Sequence, residues 1–199
     1  MIQHECSNTL PRFDILLIGT TIIGLSGCEV TESRVSKASA LLDEIGLLDS
    51  TPSIDMPTSG SATYTGYATG EIDVSSTITD TVIADANFTA TFSGAGGTLS
   101  GSMSNFSAST GGFGSTQSTD MAGSLLTLSG GTISGNSFTG AIDGTLIYNS
   151  NTITVDAAAS GGFLGPAADT LLGEFIGSSS VSSGYSGNVD MVVFGKQAP

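Results

Sequence analysis

From residue 62 to the C-terminus, apolar and polar positions alternate with a period of two. Ala86, Phe88, Ala90 and Phe92 share one face of such a stretch, with Asp85, Asn87, Thr89 and Thr91 on the other. Phe138, Gly140, Ile142, Gly144, Leu146 and Tyr148 form a longer row, opposite Thr139, Asp143 and Thr145. Ile153, Val155, Ala157 and Ala159 make a third row, and Tyr185, Gly187, Val189, Met191 and Val193 a fourth. Less regular stretches cover Tyr64–Ile72, Val74–Val82, Thr98–Phe106, Met121–Leu128 and Leu172–Ser178. Alternation of this kind makes half-buried strands, and even spacing with Gly/Ser/Asn turns such as Asn149-Ser150-Asn151 indicates an all-β unit. The pattern predicts an eight-stranded antiparallel up-and-down β-barrel, with a sandwich as the other arrangement. Glycines alternate with Phe, Ile and Leu on the inward face, which suits a barrel filled by its own side chains.

The period changes upstream. Val35, Ala38, Leu41, Leu42, Ile45 and Leu48 recur at helical spacing, with Asp43 and Glu44 on the other side. Ser33 is placed to cap a helix of about twelve residues ending near Gly46. A helix this short is marginal alone, so it is expected to lean on the barrel or a neighbour. Thr51 to Gly60, with Pro52 and Pro57, reads as an extended linker. Six residues, Gly96-Gly97-Thr98-Leu99-Ser100-Gly101, recur as Gly130-Gly131-Thr132-Ile133-Ser134-Gly135, offset by 34. Two copies fall short of a solenoid and are read as equivalent strand starts.

Near the N-terminus, the eleven residues from Ile15 to Leu25 are apolar but too few to span a bilayer. They fit the hydrophobic region of a signal peptide, although Arg12 is the only basic residue before them. Leu25-Ser26-Gly27-Cys28 follows directly and resembles a bacterial lipobox. That resemblance implies cleavage by signal peptidase II between Gly27 and Cys28, and lipidation (palmitate-type acylation) of Cys28. The expected organisation is therefore a lipoprotein signal peptide over residues 1–27, a tether with a short helix over 28–61, and a barrel over 62–199. Two acyl chains anchor a protein stably. Glu29 rather than Asp follows the cysteine, which by analogy with enteric bacteria favours the outer membrane.

Charge removes one class of partner. The full chain carries a net −14, and beyond residue 27 only Arg34, Lys37 and Lys196 stand against sixteen acids. Phosphate binding needs clustered Lys and Arg, so nucleic acid is excluded as a partner.

The β-rich part resembles the β-barrel domain of transferrin-binding protein B and its relatives. The residues carrying the likeness are Tyr64-Thr65-Gly66-Tyr67, Ala86 to Phe92, Gly97 to Phe106 and Ile133 to Gly140. They continue with Gly162-Phe163-Leu164-Gly165-Pro166-Ala167-Ala168-Asp169, Gly173-Glu174-Phe175 and Val193-Phe194-Gly195-Lys196. In the Gly-Pro turn, Pro166 is suited to start a helical turn over Ala167 to Leu171, with Gly173 as its exit. The likeness implies a surface-exposed outer-membrane lipoprotein that binds a protein ligand and is linked to iron acquisition or host interaction. Transferrin binders of the family have two lobes, each with a handle domain beside its barrel; here one barrel stands without them.

Chemistry is scarce in the expected mature chain. His4 and Cys6 both precede the predicted cut, leaving neither imidazole nor free thiol. Triads and His/Cys zinc sites are therefore absent, and no cofactor or metal is expected. Carboxylate pairs remain as acid/base candidates, Glu71 with Asp73 and Asp80 with Asp85, both read as exposed strand ends. The alternative to a protein-binding module is a barrel that carries haem or another hydrophobe, with Tyr64, Tyr67, Tyr148 or Tyr185 as axial ligand. For protein binding, the candidate loops are Ser107–Thr119 and Ser178–Gly184.

Overall fold

The computed structural model describes residues 29–110 and 118–198. A helix, α1 (Glu29–Ile45), is followed by β1 (Ser59–Ser75), β2 (Ile78–Ser93), β3 (Gly96–Thr110), β4 (Ser118–Asp120) and β5 (Leu125–Ser134). Then come β6 (Ser137–Tyr148), β7 (Asn151–Leu164), β8 (Thr170–Val181) and β9 (Ser186–Gln197). All neighbours pair antiparallel, in the order β2-β1-β9-β8-β7-β6-β5-β3, and β2 pairs with β3 to close the ring. The short β4 pairs with β3 through Ser107–Ser109, on the edge that β5 occupies further along. β4 and β5 thus act as one interrupted stave, and the barrel has eight.

The alternation read from the sequence is the alternation that folds. Ala86, Phe88, Ala90 and Phe92 are buried, as are Phe138, Ile142, Leu146, Ile153, Val155, Val189, Met191 and Val193. Two bulges keep that phase. On β3 an extra residue falls at Asn105, whose φ is 55°, so the inward set shifts from Leu99 and Met103 to Phe106 and Ala108. On β5 the extra residue falls at Gly130, φ 59°, and the set shifts from Leu126 and Leu128 to Ile133. Both hold a left-handed backbone, which Asn and Gly tolerate.

Large and small residues interlock across the interior. Phe138 lies opposite Gly161, which lies opposite Gly173. A Cβ on either glycine would meet the Phe138 ring at 2.6 Å, so the ring lies over both. Phe163 sits among Tyr64 (5.7 Å), Phe92 (5.7 Å) and Phe138 (6.1 Å) between ring centres. The barrel interior is a packed core with an apolar lining. Its outer wall is mostly Thr, Ser, Asn and Asp, the reverse of a lipid-facing barrel.

Several expectations need correction. Val74–Val82 is not a strand: β1 runs to Ser75, and β2 runs unbroken from Ile78 to Ser93. Met121–Leu128 is likewise split, its first part lying in the turn before β5. The two six-residue copies are not equivalent strand starts. One opens β3, the other closes β5, and they pair with each other through Gly97↔Ile133 and Thr98↔Thr132. The turn after Gly165 (φ 75°) is a single 3-10 turn, Pro166–Ala168; β8 begins at Thr170 and Gly173 lies inside it, where Phe138 needs the space.

The segment before the barrel is packed rather than extended. Thr51 is fully buried, with its amide on the Phe163 carbonyl (3.0 Å) and its hydroxyl on that of Gly165 (2.7 Å). The Asn136 amide donates to Ser50 Oγ and to the Thr51 carbonyl, both at 2.9 Å. A 3-10 turn, Ser53–Asp55, and the buried Met56 complete a plug over one mouth of the barrel. This plug rim also carries the turns after β2, β5 and β7. The opposite hairpin rim carries those after β1, β6 and β8.

Candidate binding surfaces

Helix α1 lies along the outside of the barrel. It begins at Glu29, earlier than the Ser33 cap suggests, and ends before Gly46. Val35, Ala38, Leu41, Leu42 and Ile45 pack on Tyr67, Ile83, Leu164, Leu172, Val192 and Phe194. Both faces of the sheet are therefore covered here, which explains the runs Val82-Ile83-Ala84 and Val192-Val193-Phe194 within otherwise alternating strands.

Two ionic clamps hold the helix. Arg34 donates to Asp85 (3.0 Å), to the Asn105 carbonyl (2.6 Å) and to Ser107 Oγ (3.3 Å). Asn105 itself donates to the other Asp85 oxygen at 2.8 Å, so the bulge on β3 is part of the clamp. At the other end, Lys196 meets Glu44 at 2.6 Å, and this contact holds the lysine's pKa above its ordinary value. Two shallow grooves flank the helix. One, about 550 Å³, runs past Leu41, Tyr67, Asn87 and Ser102; the other, about 770 Å³, runs past Arg34, Asn105, Asp120 and Met121. Nothing in the alternating pattern singles out Arg34, although its rarity in an acidic chain was a usable signal.

Of the carboxylate pairs considered for acid/base chemistry, Asp80 and Asp85 lie on opposite faces of β2, while Glu71 and Asp73 share the outer face of β1. Asp80 points inward and is fully buried, contrary to the reading as an exposed strand end, whereas Asp85 points outward to Arg34. Glu71 faces Asp190 across β1 and β9. Asp73 accepts from Thr79 Oγ1 (2.6 Å) and from the Asn188 backbone amide (3.0 Å) and side chain (3.2 Å). The Thr79 bond first, then the Asn188 amide, holds the Asp73 carboxyl below its usual range. Neither oxygen of Asp80 makes a well-aligned hydrogen bond among the described residues, and its polar neighbour is the Tyr148 hydroxyl. Burial, and then Asp80, pushes the Tyr148 phenol above its ordinary value.

The tyrosines are placed for packing. Tyr64 is buried and donates to the Ala168 carbonyl at 2.6 Å; burial, with Asp169 second, raises its phenol far above the ordinary value. Tyr67 lies under α1 and against Phe194, and Tyr148 and Tyr185 are half-buried against the core. Among the described residues no group of three His, Cys, Asp or Glu is gathered as a metal site. Cys28, Gly27 and the apolar run before them lie outside the described residues, as does 111–117 of the first candidate loop. The rest of that loop is β3 and β4, and most of Ser178–Gly184 is β8.

The chain is thus an all-β protein of the closed-barrel class, eight staves around a filled core with a helix clasped to the outer wall. Residues 56–197 match the model of the C-lobe and N-lobe β-barrels of Tf-binding protein B, and the chain belongs to that family. Solved structures that resemble it include two of Transferrin Binding Protein B from Haemophilus parasuis Hp5, a double and a single mutant. Each is 21% identical over 75% of this chain, with TM-scores of 0.41 and 0.42. The chain spans 28% of the length of either. No curated protein sequence matches it.

Proposed function

We propose that the protein is a non-enzymatic binding module, lipid-anchored through Cys28 to the bacterial outer membrane and displayed at the cell surface, where it recognises a protein ligand in iron acquisition or host interaction. The domain limits follow that reading: a signal peptide to Gly27, the helix-bearing segment 28–61, and the barrel from 62.

The observation that carries it is the filled interior. Phe88, Phe138, Phe163, Phe175, Met103 and Leu126 meet across the axis, so a ligand has the rims and outer wall to bind and no cup. Protein ligands use such surfaces, held by loops on a rigid scaffold. The same packing argues against the haem-carrier alternative, since the deepest tyrosine, Tyr64, already uses its hydroxyl.

Two measurements test this. Cys28→Ala is expected to abolish fatty-acid labelling; continued labelling removes the anchor. Haem titrated into the purified protein is expected to give no saturable Soret shift. A saturable shift lost in Tyr148→Phe or Tyr185→Phe would replace the protein-ligand reading with the carrier.

A further inference from the structure

The plug rim carries the most exposed large apolar side chains among the described residues. Leu47 is 86% exposed and Ile54 90%, whereas Ile78, Leu125 and Ile176, placed elsewhere, reach 42%, 49% and 56%. Leu47 and Ile54 lie on one segment that is stitched to one turn. The Asp49 carbonyl accepts the Gly165 amide at 2.9 Å, Thr51 donates its hydroxyl to the Gly165 carbonyl, and the turn Ser53–Asp55 lies against the turn Pro166–Ala168. The two side chains therefore share a surface with the exposed Pro52, Pro166 and Ala167. That surface is held rigid against strain. Ala167 (φ 55°, ψ 29°) and Ala168 (φ 60°) both take the left-handed backbone, in which a Cβ is crowded. Tyr64 pins the turn from inside, its hydroxyl on the Ala168 carbonyl at 2.6 Å. Strained backbone kept in place by its surroundings, next to large solvent-facing apolar groups, marks a surface built for contact.

Charge selects the occupant. Asp43, Glu44, Asp49, Asp55 and Asp169 lie in the end of α1, the plug and the turn after β7, with no Lys or Arg among them, and the turns after β2 and β5 are uncharged. Lys196, at the end of β9, is taken by Glu44. A second copy would set the same acids against each other, and an anionic lipid surface is repelled as well. We propose that this face docks a partner protein whose own surface has an apolar centre ringed by Lys and Arg. The inference rests on the protein-ligand reading above; it adds where that ligand meets the barrel and what chemistry it presents. Leu47 and Ile54 fill the dry centre of the contact, and Asp49 and Asp55 form its polar rim. The contact needs little ordering, because the turn beneath it is already fixed.

The test holds the full chain on streptavidin through a biotin acceptor peptide inserted after Ser150, in a turn at the opposite rim, and pans it with a phage-displayed library of random peptides. Recovered peptides are expected to combine Leu, Ile, Phe or Trp with two or more Lys or Arg. Their affinity is expected to fall at least about tenfold on Leu47→Ser/Ile54→Ser, and to lose most of its salt dependence on Asp49→Asn/Asp55→Asn. Ile176→Ser, which removes an exposed apolar side chain opposite Asp190 on the outer wall, is expected to leave binding unchanged. Basic peptides that bind the double serine variant as tightly overturn the plug-rim site while leaving a protein ligand standing. Acidic or neutral peptides overturn the partner's chemistry. A dimer in sedimentation that the double variant abolishes assigns the face to a second copy. Stronger flotation with phosphatidylglycerol than with phosphatidylcholine vesicles, lost in the double variant, assigns it to lipid. Either result overturns the proposal. If no peptide is enriched on any surface, the protein-ligand reading falls and this inference falls with it.

Discussion

The two rims of the barrel are closed by different chemistry. At the plug rim, Phe92 and Phe138 meet Phe163 edge to face, Tyr64 meets it tilted, and Met56 and Thr51 lie over them. The polar groups there are matched, with Thr51, Asn136 and Tyr64 each bonded to backbone carbonyls. At the hairpin rim the lining is mainly aliphatic, Ile72, Leu146, Ile153, Val181 and Val189, joined by Phe106 and the half-buried Tyr148 and Tyr185, and it includes the buried Asp80 beside the Tyr148 phenol. Aromatic packing with satisfied hydrogen bonds fixes a single arrangement. A buried carboxylate that meets little beyond one half-buried phenol lowers stability. The comparison places the rigidity of the molecule at the plug rim and its energetic weak point at the other.

The contrast can be broken most forcefully at Phe163. It touches three rings, and Phe163→Ala is expected to cost about 3–5 kcal/mol, because those rings cannot collapse into the space. Urea unfolding followed by far-ultraviolet circular dichroism measures it. A loss no larger than about 1 kcal/mol, typical of Ile153→Val at the other rim, would remove the contrast. Asp80→Val goes the opposite way. Replacing a buried carboxylate whose one polar neighbour is the Tyr148 phenol by a β-branched residue of strand preference is expected to raise stability by about 1–3 kcal/mol at neutral pH. It is also expected to bring the Tyr148 phenol back toward its ordinary value, since Asp80 is one of the groups raising it. A destabilised variant would show that the contact between Asp80 and the Tyr148 phenol outweighs the cost of burying the carboxyl.

High pH should act on the plug rim. Tyr64 has its folded value raised above the ordinary 10.0 by burial and by Asp169. The unfolded chain ionises first, so the stabilisation is intact below pH 10 and is lost as pH rises toward the folded value. The expected loss is about 1.4 kcal/mol per pH unit in that window. Tyr64→Phe gives up one hydrogen bond at neutral pH, about 1 kcal/mol, and is expected to flatten the alkaline slope. An unchanged slope would assign the alkaline sensitivity to other tyrosines.

The barrel was legible in the sequence because period-two burial is a local property. Each inward row needs only its own strand, and the rows at Ala86, Phe138, Ile153 and Val189 all fold as read. Hairpin boundaries were less legible. Ser75 to Ile78 turns with no Gly or Pro to mark it, so one strand was divided in the wrong place. The plug was missed because Pro52 and Pro57 suggest a free extended linker, whereas the segment folds over the barrel around a 3-10 turn, held by Asn136 and Gly165 more than eighty residues away. Asp80 was misplaced because its neighbours Thr79 and Thr81 give a strand end no apolar signature. Of the helix, the apolar stripe was visible but its landing site was not. The runs at Val82 and Val192 hold that information, and they become readable only once both faces of the sheet are known to be covered.

The smallest effect discriminates best between a clasped helix and a hanging one. Arg34 bonds to two residues on β3 and one on β2, but the Asp85 side chain is 45% exposed, so solvent screens much of the pair. Arg34→Ala is expected to cost about 1 kcal/mol overall. The informative readout is local. Amide exchange in the first half of α1 is expected to accelerate markedly, while the barrel amides and the second half, held by Ile45 and Phe194, stay protected. Asn105→Ala is a companion variant, because it removes the side chain that fixes Asp85 and strains the left-handed residue of the bulge. If neither substitution changes exchange in α1, the clamp at Arg34 does not hold the helix. The apolar stripe from Val35 to Ile45 then holds it alone, and the contrast between the rims loses its link to the N-terminal segment.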